Sequence, residues 1–207
     1  MRKNRRVVRA FSLLELLVVM FIFSTISLII LANHSRFNSS VLLGSLAYKI
    51  ALSVREAQVY GLSVQGQTSG GVTNFQVGYG VHFQGGTSYT LFADVDGNKK
   101  YDSAPHNGYP ADTVIKTYTL TQSHAVSDFC GITSTGTRQC AASPTPLIAS
   151  LDVLFFRPDP DAVISSDIVP PSTPYSSAEI TVASPTGSTR KITIASTGQI
   201  SVTVGIP

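Results

Sequence analysis

The 207-residue chain lacks the short patterns by which enzymes hold a nucleophile, a nucleotide or a catalytic zinc. It contains no Gly-x-Ser-x-Gly elbow, no Gly-x-x-x-x-Gly-Lys loop and no His-Glu-x-x-His pair. His34, His82, His106 and His124 are scattered, without a helical or strand-paired partner, and are read as surface or core-edge residues. There are two cysteines and no Cys-x-x-Cys pair or neighbouring His set, which sets aside a zinc or redox centre. No internal repeat is present. Acidic residues are missing from the whole segment before Glu15, and between Phe11 and Ala32 Glu15 is the only ionisable side chain. An enzyme is therefore not expected, and the amino terminus becomes the part to explain.

What stands there is a wholly basic leader, Met1 to Ala10, joined to an apolar stretch from Phe11 to Ala32. About 20 apolar residues span a bilayer, so the length suits a membrane helix. A carboxylate buried in hydrocarbon costs roughly 2.5 to 3.5 kcal/mol on insertion scales, which a plain anchor leaves unexplained. An ordinary secretory signal fits less well, because its apolar core is about 7 to 15 residues long and ends at small residues. Here the run is longer, contains an acid, and has Ile30 three places before an apolar-to-polar boundary near Ala32.

The segment Phe-Ser-Leu-Leu-Glu-Leu-Leu-Val-Val from Phe11 resembles the class III signal of type IV pilins and type II secretion pseudopilins. The resemblance implies cleavage between Ala10 and Phe11 by a prepilin peptidase and N-methylation of the new terminus at Phe11. Most relatives have Gly where this chain has Ala10. Glu15 would be the fifth residue after the cut, and it would pair with the free amine of a neighbouring subunit during assembly. Each charge then cancels the desolvation cost of the other.

Removing the leader reverses the charge balance. Five of the 15 Lys and Arg residues precede Phe11, while all 12 acids follow it, so the mature chain has ten basic against 12 acidic residues and a formal net of −2. The basic cluster holds the amino terminus in the cytoplasm by the positive-inside rule, which leaves the rest of the chain on the periplasmic face of the inner membrane. Cys130 and Cys140, ten positions apart in a Gly/Ser/Thr-rich segment, suit a disulfide in that oxidising compartment. Such a staple contributes on the order of 2 to 3 kcal/mol.

Helical spacing continues beyond the membrane segment. Leu42, Leu46, Ile50, Val54 and Ala57 form a stripe widened by Leu43, Ala47 and Ala51, with Lys49, Arg55, Glu56 and Gln58 placed elsewhere on the surface. Gly61 is read as the stop, and a kink or break is expected between Asn33 and Gly44. A continuous helix from Phe11 to Tyr60 would be about 75 Å long. After Gly66 to Gly71 the period changes to two. Val77, Tyr79, Val81 and Phe83 alternate, as do Leu147, Ala149, Leu151, Val153 and Phe155, and then Ile200, Val202 and Val204. Ser196 to Gln199 is a hairpin turn between Ile194 and Ile200, and residues 157–174 read as a long Pro/Asp/Ser surface loop. The expected fold is α+β and type IV pilin-like, a long amino-terminal helix packed on an antiparallel β-rich domain. The divisions are a leader at 1–10, an assembly helix at 11–32, an amphipathic continuation at 33–61 and a β-rich domain at 62–207.

This layout is similar to that of GspH/FimT-type minor pseudopilins. The segments that carry the similarity are Arg55-Glu56-Ala57 on the helix, Tyr89 to Asn98, and Arg190 to Gly198. The resemblance implies a structural subunit that enters a pseudopilus or pilus through an inner-membrane assembly platform. Its partners would be other pilins and the prepilin peptidase/N-methyltransferase. Two further readings remain. In Asp94-Val-Asp-Gly-Asn-Lys-Lys-Tyr-Asp102, oxygens from Asp94, Asp96, Asn98, the Lys100 carbonyl and Asp102 suit calcium, but Lys99 and Pro105 break the EF-hand pattern; a self-bonded turn is the alternative. No other cofactor is expected. Arg190 and Lys191 are the only cluster suited to DNA phosphate, and in a net acidic chain DNA contact ranks below assembly.

Overall fold

The computed structural model describes residues 12–63, 66–69, 72–105, 108–142, 148–170 and 172–205, with the backbone alone for 32–38, 69 and 72. Its elements in chain order are α1 (Leu13–Leu62), β1 (Gln67–Ser69), β2 (Val72–Asn74), β3 (Gly78–Phe83), β4 (Ser88–Asp94), β5 (Thr113–Thr119), β6 (Ala125–Ile132), β7 (Arg138–Cys140), β8 (Leu151–Phe155), β9 (Ala162–Ser166), β10 (Ser177–Ala183), β11 (Thr189–Ala195) and β12 (Ile200–Val204). The chain is thus an amino-terminal helix followed by antiparallel sheet, the α+β arrangement expected. It divides into two compact units, Met1–Ser39 and Ser40–Pro207.

Of the kink or break expected at residues 33–44, the break is absent, since the backbone is helical throughout. Polar residues weaken amphipathicity there without removing backbone hydrogen bonds, and no proline interrupts the ladder. In the second unit the helix buries Leu43, Leu46, Ala47, Ile50, Val54 and Ala57. Their spacing of three and four residues puts them on one face. Gln58, assigned to the surface from its polarity, is buried instead, and its Nε2 donates to the Pro160 carbonyl at 2.9 Å. Gly61 stands one residue before the helix end at Leu62, in agreement with the expected stop. It lies within the last turn, and a Cβ there would come 2.4 Å from the Phe155 carbonyl, so its role is close approach of the helix to β8.

Two five-stranded antiparallel sheets follow, ordered β12-β11-β10-β6-β7 and β5-β4-β3-β8-β9, beside a separate β1-β2 hairpin. Val81 and Phe83 of β3, Leu151, Val153 and Phe155 of β8, Ile180 and Val182 of β10, and Ile192 and Ile194 of β11 share one core with the helix stripe. Full burial of one such side chain is worth about 1.5 to 3 kcal/mol, which makes this core the main source of stability for the second unit. The alternation read for β3 holds on the core face, and that read for β8 holds only from Leu151, since Ala149 is exposed and Ile148 beside it is buried; on the other face both readings are incomplete. Every residue of β8 is buried, because Asp152 and Leu154 are covered as well. Leu147 lies outside the described residues.

The presumed surface loop at 157–174 contains a buried strand, β9, which pairs with β8 from Leu151↔Ser166 to Phe155↔Ala162. Prolines and aspartates flank Ala-Val-Ile-Ser-Ser and hide it from a reading based on turn residues. The hairpin at 196–199 is present, closed by bonds from Ala195 N to Gln199 O and from Gly198 N to Ala195 O. Gly198 has φ +79°, the left-handed region that glycine adopts without strain. At the end of that hairpin Val204 is 70% exposed, so the alternation in β12 gives only Ile200 and Val202 to the core.

Candidate functional site

The first candidate is the amino-terminal stretch Leu13–Leu31. Its 19 residues are long and apolar enough to cross a membrane, and none of them is buried in the protein. At about 1.5 Å per residue the length approaches the roughly 30 Å hydrocarbon thickness. Glu15 lies in the first turn of α1. The unsatisfied N–H groups at a helix start favour an acid by about 0.3 to 1 kcal/mol at an exposed position, less than the cost of burying it in lipid. Thr25 meets its own hydroxyl requirement by donating to the Ile22 carbonyl at 2.8 Å. Ala10 and Phe11, the expected cleavage and methylation positions, lie outside the described residues.

The second candidate is the loop after β4. The structure brings Asp94 and Asp96 together with Asp112, one carboxylate oxygen of each lying within 4.8 Å of the others. Asp112 was missed in the sequence because a lone acid before a β-branched run carries no motif. It arrives through strand register, since β5 pairs Thr113 with Ala93 and so sets the flanking residues Asp112 and Asp94 side by side. Asn98 and Asp102, expected as ligands, are engaged with each other instead. Asn98 Nδ2 donates to Asp102 Oδ2 and also to Asp96 Oδ2, while its Oδ1 accepts from Lys100 N at 2.7 Å. Lys100 sends its ammonium to the Ser166 carbonyl at 2.7 Å.

Much of the loop is self-bonded. Asp94 accepts from Gly97 N and Lys99 N at 2.8 and 2.9 Å, and Asp112 accepts from Val95 N and Asp102 N at 2.9 and 2.8 Å. These bonds hold Gly97 and Lys99 in the left-handed region, φ +77° and +66°. Asp94 is only 3% exposed. Burial, a hydrogen bond from its protonated form to Asp96 and the charge of Asp112 push its pKa up to about 7, against the lowering effect of the Lys99 amide. Burial pushes Asp112 up to about 6 despite its two backbone donors. A proton or a hard cation would relieve this like-charged cluster.

The remaining expected sites are placed differently. Arg190 and Lys191 are adjacent in β11, where successive side chains point to opposite faces, so they form no cluster. Lys191 Nζ lies 3.0 Å from Glu179, which also pairs with Arg138 at 2.5 Å. Cys130 and Cys140 are joined, and as directly opposed residues of β6 and β7 they staple a hairpin. His82 does have a strand partner: it faces Asp152 across β3 and β8, with Nδ1 2.7 Å from Oδ1. Pairing between strands distant in sequence leaves no local signature. His124 is 1% exposed and its Nδ1 lies 2.9 Å from the Thr121 carbonyl. His34 has no described side chain, and His106 lies outside the described residues.

A family model for the prokaryotic N-terminal methylation motif matches residues 5–31, across the end of the leader and nearly all of the apolar stretch. The match supports a type IV pilin-like subunit. It also implies processing by a prepilin peptidase and assembly with other pilins. No curated protein and no solved structure matches the chain.

Proposed function

We propose that the chain is a non-enzymatic minor subunit of a type II secretion pseudopilus or a type IV pilus, of the GspH/FimT type. Leu13–Leu31 anchors it in the inner membrane and the β-rich unit stands on the periplasmic side. The prepilin peptidase/N-methyltransferase cuts between Ala10 and Phe11 and methylates Phe11, and the assembly platform then feeds the subunit into a filament. There the amine of Phe11 on one subunit neutralises Glu15 on the next. The observation that carries this reading is a single acid in the first turn of an otherwise uncharged apolar segment that coincides with the methylation motif. Mass spectrometry of the amino-terminal peptide from native membranes tests it. A peptide beginning at N-methylated Phe11 is expected; a chain still carrying Met1, or one starting beyond residue 32, overturns it.

DNA contact during uptake ranks lower, because Lys191 is occupied by Glu179 and Arg190 lies on the opposite face of β11. A calcium-stabilised loop is a second reading, favoured by the three converging carboxylates. Asp94, Asp96 and Asp112 would be the ligands, in place of the set read from spacing alone. Calcium added to the full chain in detergent micelles near pH 7.5 should raise its thermal midpoint. An unchanged midpoint at millimolar calcium removes this reading.

A further inference from the structure

The two sheets have four edges, and three of them are closed or guarded. Along β9, Ala162 N donates to Ser196 O, Tyr175 N to Ile164 O and Ser166 N to Val169 O, so its outer side is already in use. The edge at β7 is three residues long. β5 carries Lys116 and a register shift opposite Leu91/Phe92, two devices that discourage further pairing. The fourth edge, β12, reads Ile-Ser-Val-Thr-Val, with no charge, no proline and no register shift against β11.

The direction of its free backbone groups follows from the hairpin. Bonds from Ala195 N to Gln199 O and from Gly205 N to Thr189 O belong to the same alternating set as the pairs Thr193↔Ser201 and Lys191↔Thr203. In an antiparallel pair only every second residue bonds its neighbour. Ser201 and Thr203 therefore direct their backbone groups to β11, while Ile200, Val202 and Val204 turn theirs outward. Beside this edge lies a groove of about 410 Å³, walled by Tyr48, Ala51, Leu52 and Arg55 of α1 and by Ile200 and Val202 of β12. Tyr48 and Leu52 are 61% and 68% exposed, outside the stripe that α1 gives to the core. Arg55 is the only charged residue of the groove. It donates to Gln58 Oε1 and forms no ion pair among the described residues.

We propose that β12 is a strand acceptor: an extended segment of a partner protein, apolar at alternate positions and bearing one carboxylate, extends this sheet as a sixth strand. The outward groups of Ile200, Val202 and Val204 bond its backbone. Its apolar side chains rest on Tyr48 and Leu52, and its carboxylate meets Arg55. Backbone pairing supplies affinity in such strand addition, and the flanking pockets supply selectivity. The site lies wholly within the second unit and does not depend on cleavage at Phe11 or on pairing of Glu15.

The test uses the full chain in detergent micelles and the fluorescent peptide acetyl-Ser-Val-Thr-Val-Thr-Asp-Thr-amide, whose Val and Asp side chains share one face of the strand. Saturable binding is expected in anisotropy titrations, with slowed hydrogen exchange at the amides of Ile200, Val202 and Val204. Val202→Pro removes one outward N–H and no bond to β11, and should weaken binding roughly tenfold, the effect of losing about one buried hydrogen bond. A peptide N-methylated at alternate amides should lose binding to the unaltered protein, which keeps the test independent of how the variant folds. Arg55→Glu should weaken the Asp peptide and restore affinity for a Lys-substituted one. Absence of binding at millimolar peptide overturns the proposal. So does binding that Leu52→Glu abolishes while N-methylation and Val202→Pro leave it unchanged, since the groove would then take a helix or another occupant without strand pairing.

Discussion

Between Leu13 and Leu31 helix α1 leaves every large apolar side chain exposed, whereas from Leu43 to Ala57 the same helix buries Leu43, Leu46, Ile50 and Val54. The first stretch is apolar all round and has no face to offer a sheet. The second sets its apolar residues three and four apart and covers them with the chain's own strands. A helix that is hydrophobic on every side needs lipid or other helices around it, while a stripe needs one packed surface. Glu15 is the single acid of the first stretch and lies in its first turn, while the polar residues of the second, such as Ser53 and Gln58, are features of the fold. Ser53 shares a hydrogen bond of 2.8 Å with Tyr89, and Gln58 reaches Pro160, so both are satisfied within the second unit.

The sharpest way to break the comparison is Glu15→Val. Membrane insertion and cleavage should persist, since an apolar residue is easier to insert by roughly 2.5 to 3.5 kcal/mol, while incorporation into filaments should be lost. Sheared filament fractions probed for the subunit give the answer; normal incorporation would refute charge pairing. Next in size is Ile50→Ala, which leaves a cavity in the core of the second unit and should lower its stability by about 2 to 5 kcal/mol. The matching change in the first stretch, Ile26→Ala, should leave the thermal midpoint unchanged in micelles. Equal effects at the two positions would erase the distinction between the halves.

Replacing both cysteines, Cys130→Ser with Cys140→Ser, should cost the second unit on the order of 2 to 3 kcal/mol and leave membrane insertion alone. Thermal melts with and without reductant report it in the unaltered chain as well. A last effect concerns pH. The acid of Asp94 titrates near 3.8 when unfolded and about 7 when folded. It favours folding fully below the lower value, and that contribution is lost as pH rises through the upper one. Stability of the metal-free chain should therefore decline between about pH 4 and 7, by a few kcal/mol at most at about 1.4 kcal/mol per unit. Asp94→Asn should flatten the decline. An identical pH profile in that variant would move the effect elsewhere.

The parts of the fold visible in the sequence were those with local periodicity. The stripe from Leu43 to Ala57, the core face of β3, the turn at Gly198 and the membrane segment all follow from residue spacing and from a glycine at φ > 0. The parts that stayed hidden depend on pairing over distance. β9 is buried between prolines, His82 meets Asp152 from a strand 70 residues away, and Asp112 reaches Asp94 only through the register of β4 and β5. Arg190 and Lys191 part for a local reason, since adjacent residues of a strand point to opposite faces once the strand forms.

By itself the sequence determined a basic amino-terminal segment, an apolar helix with one acid near its start, and a change of period from helix to strand, because each is a property of neighbouring residues. Only the tertiary structure decided which acids converge, which glycine is required for close packing, and which strands end each sheet. Those depend on backbones meeting across long loops. Gly61 against Phe155 and Asp112 beside Asp94 are products of that meeting, as is the place of β12 at the end of its sheet.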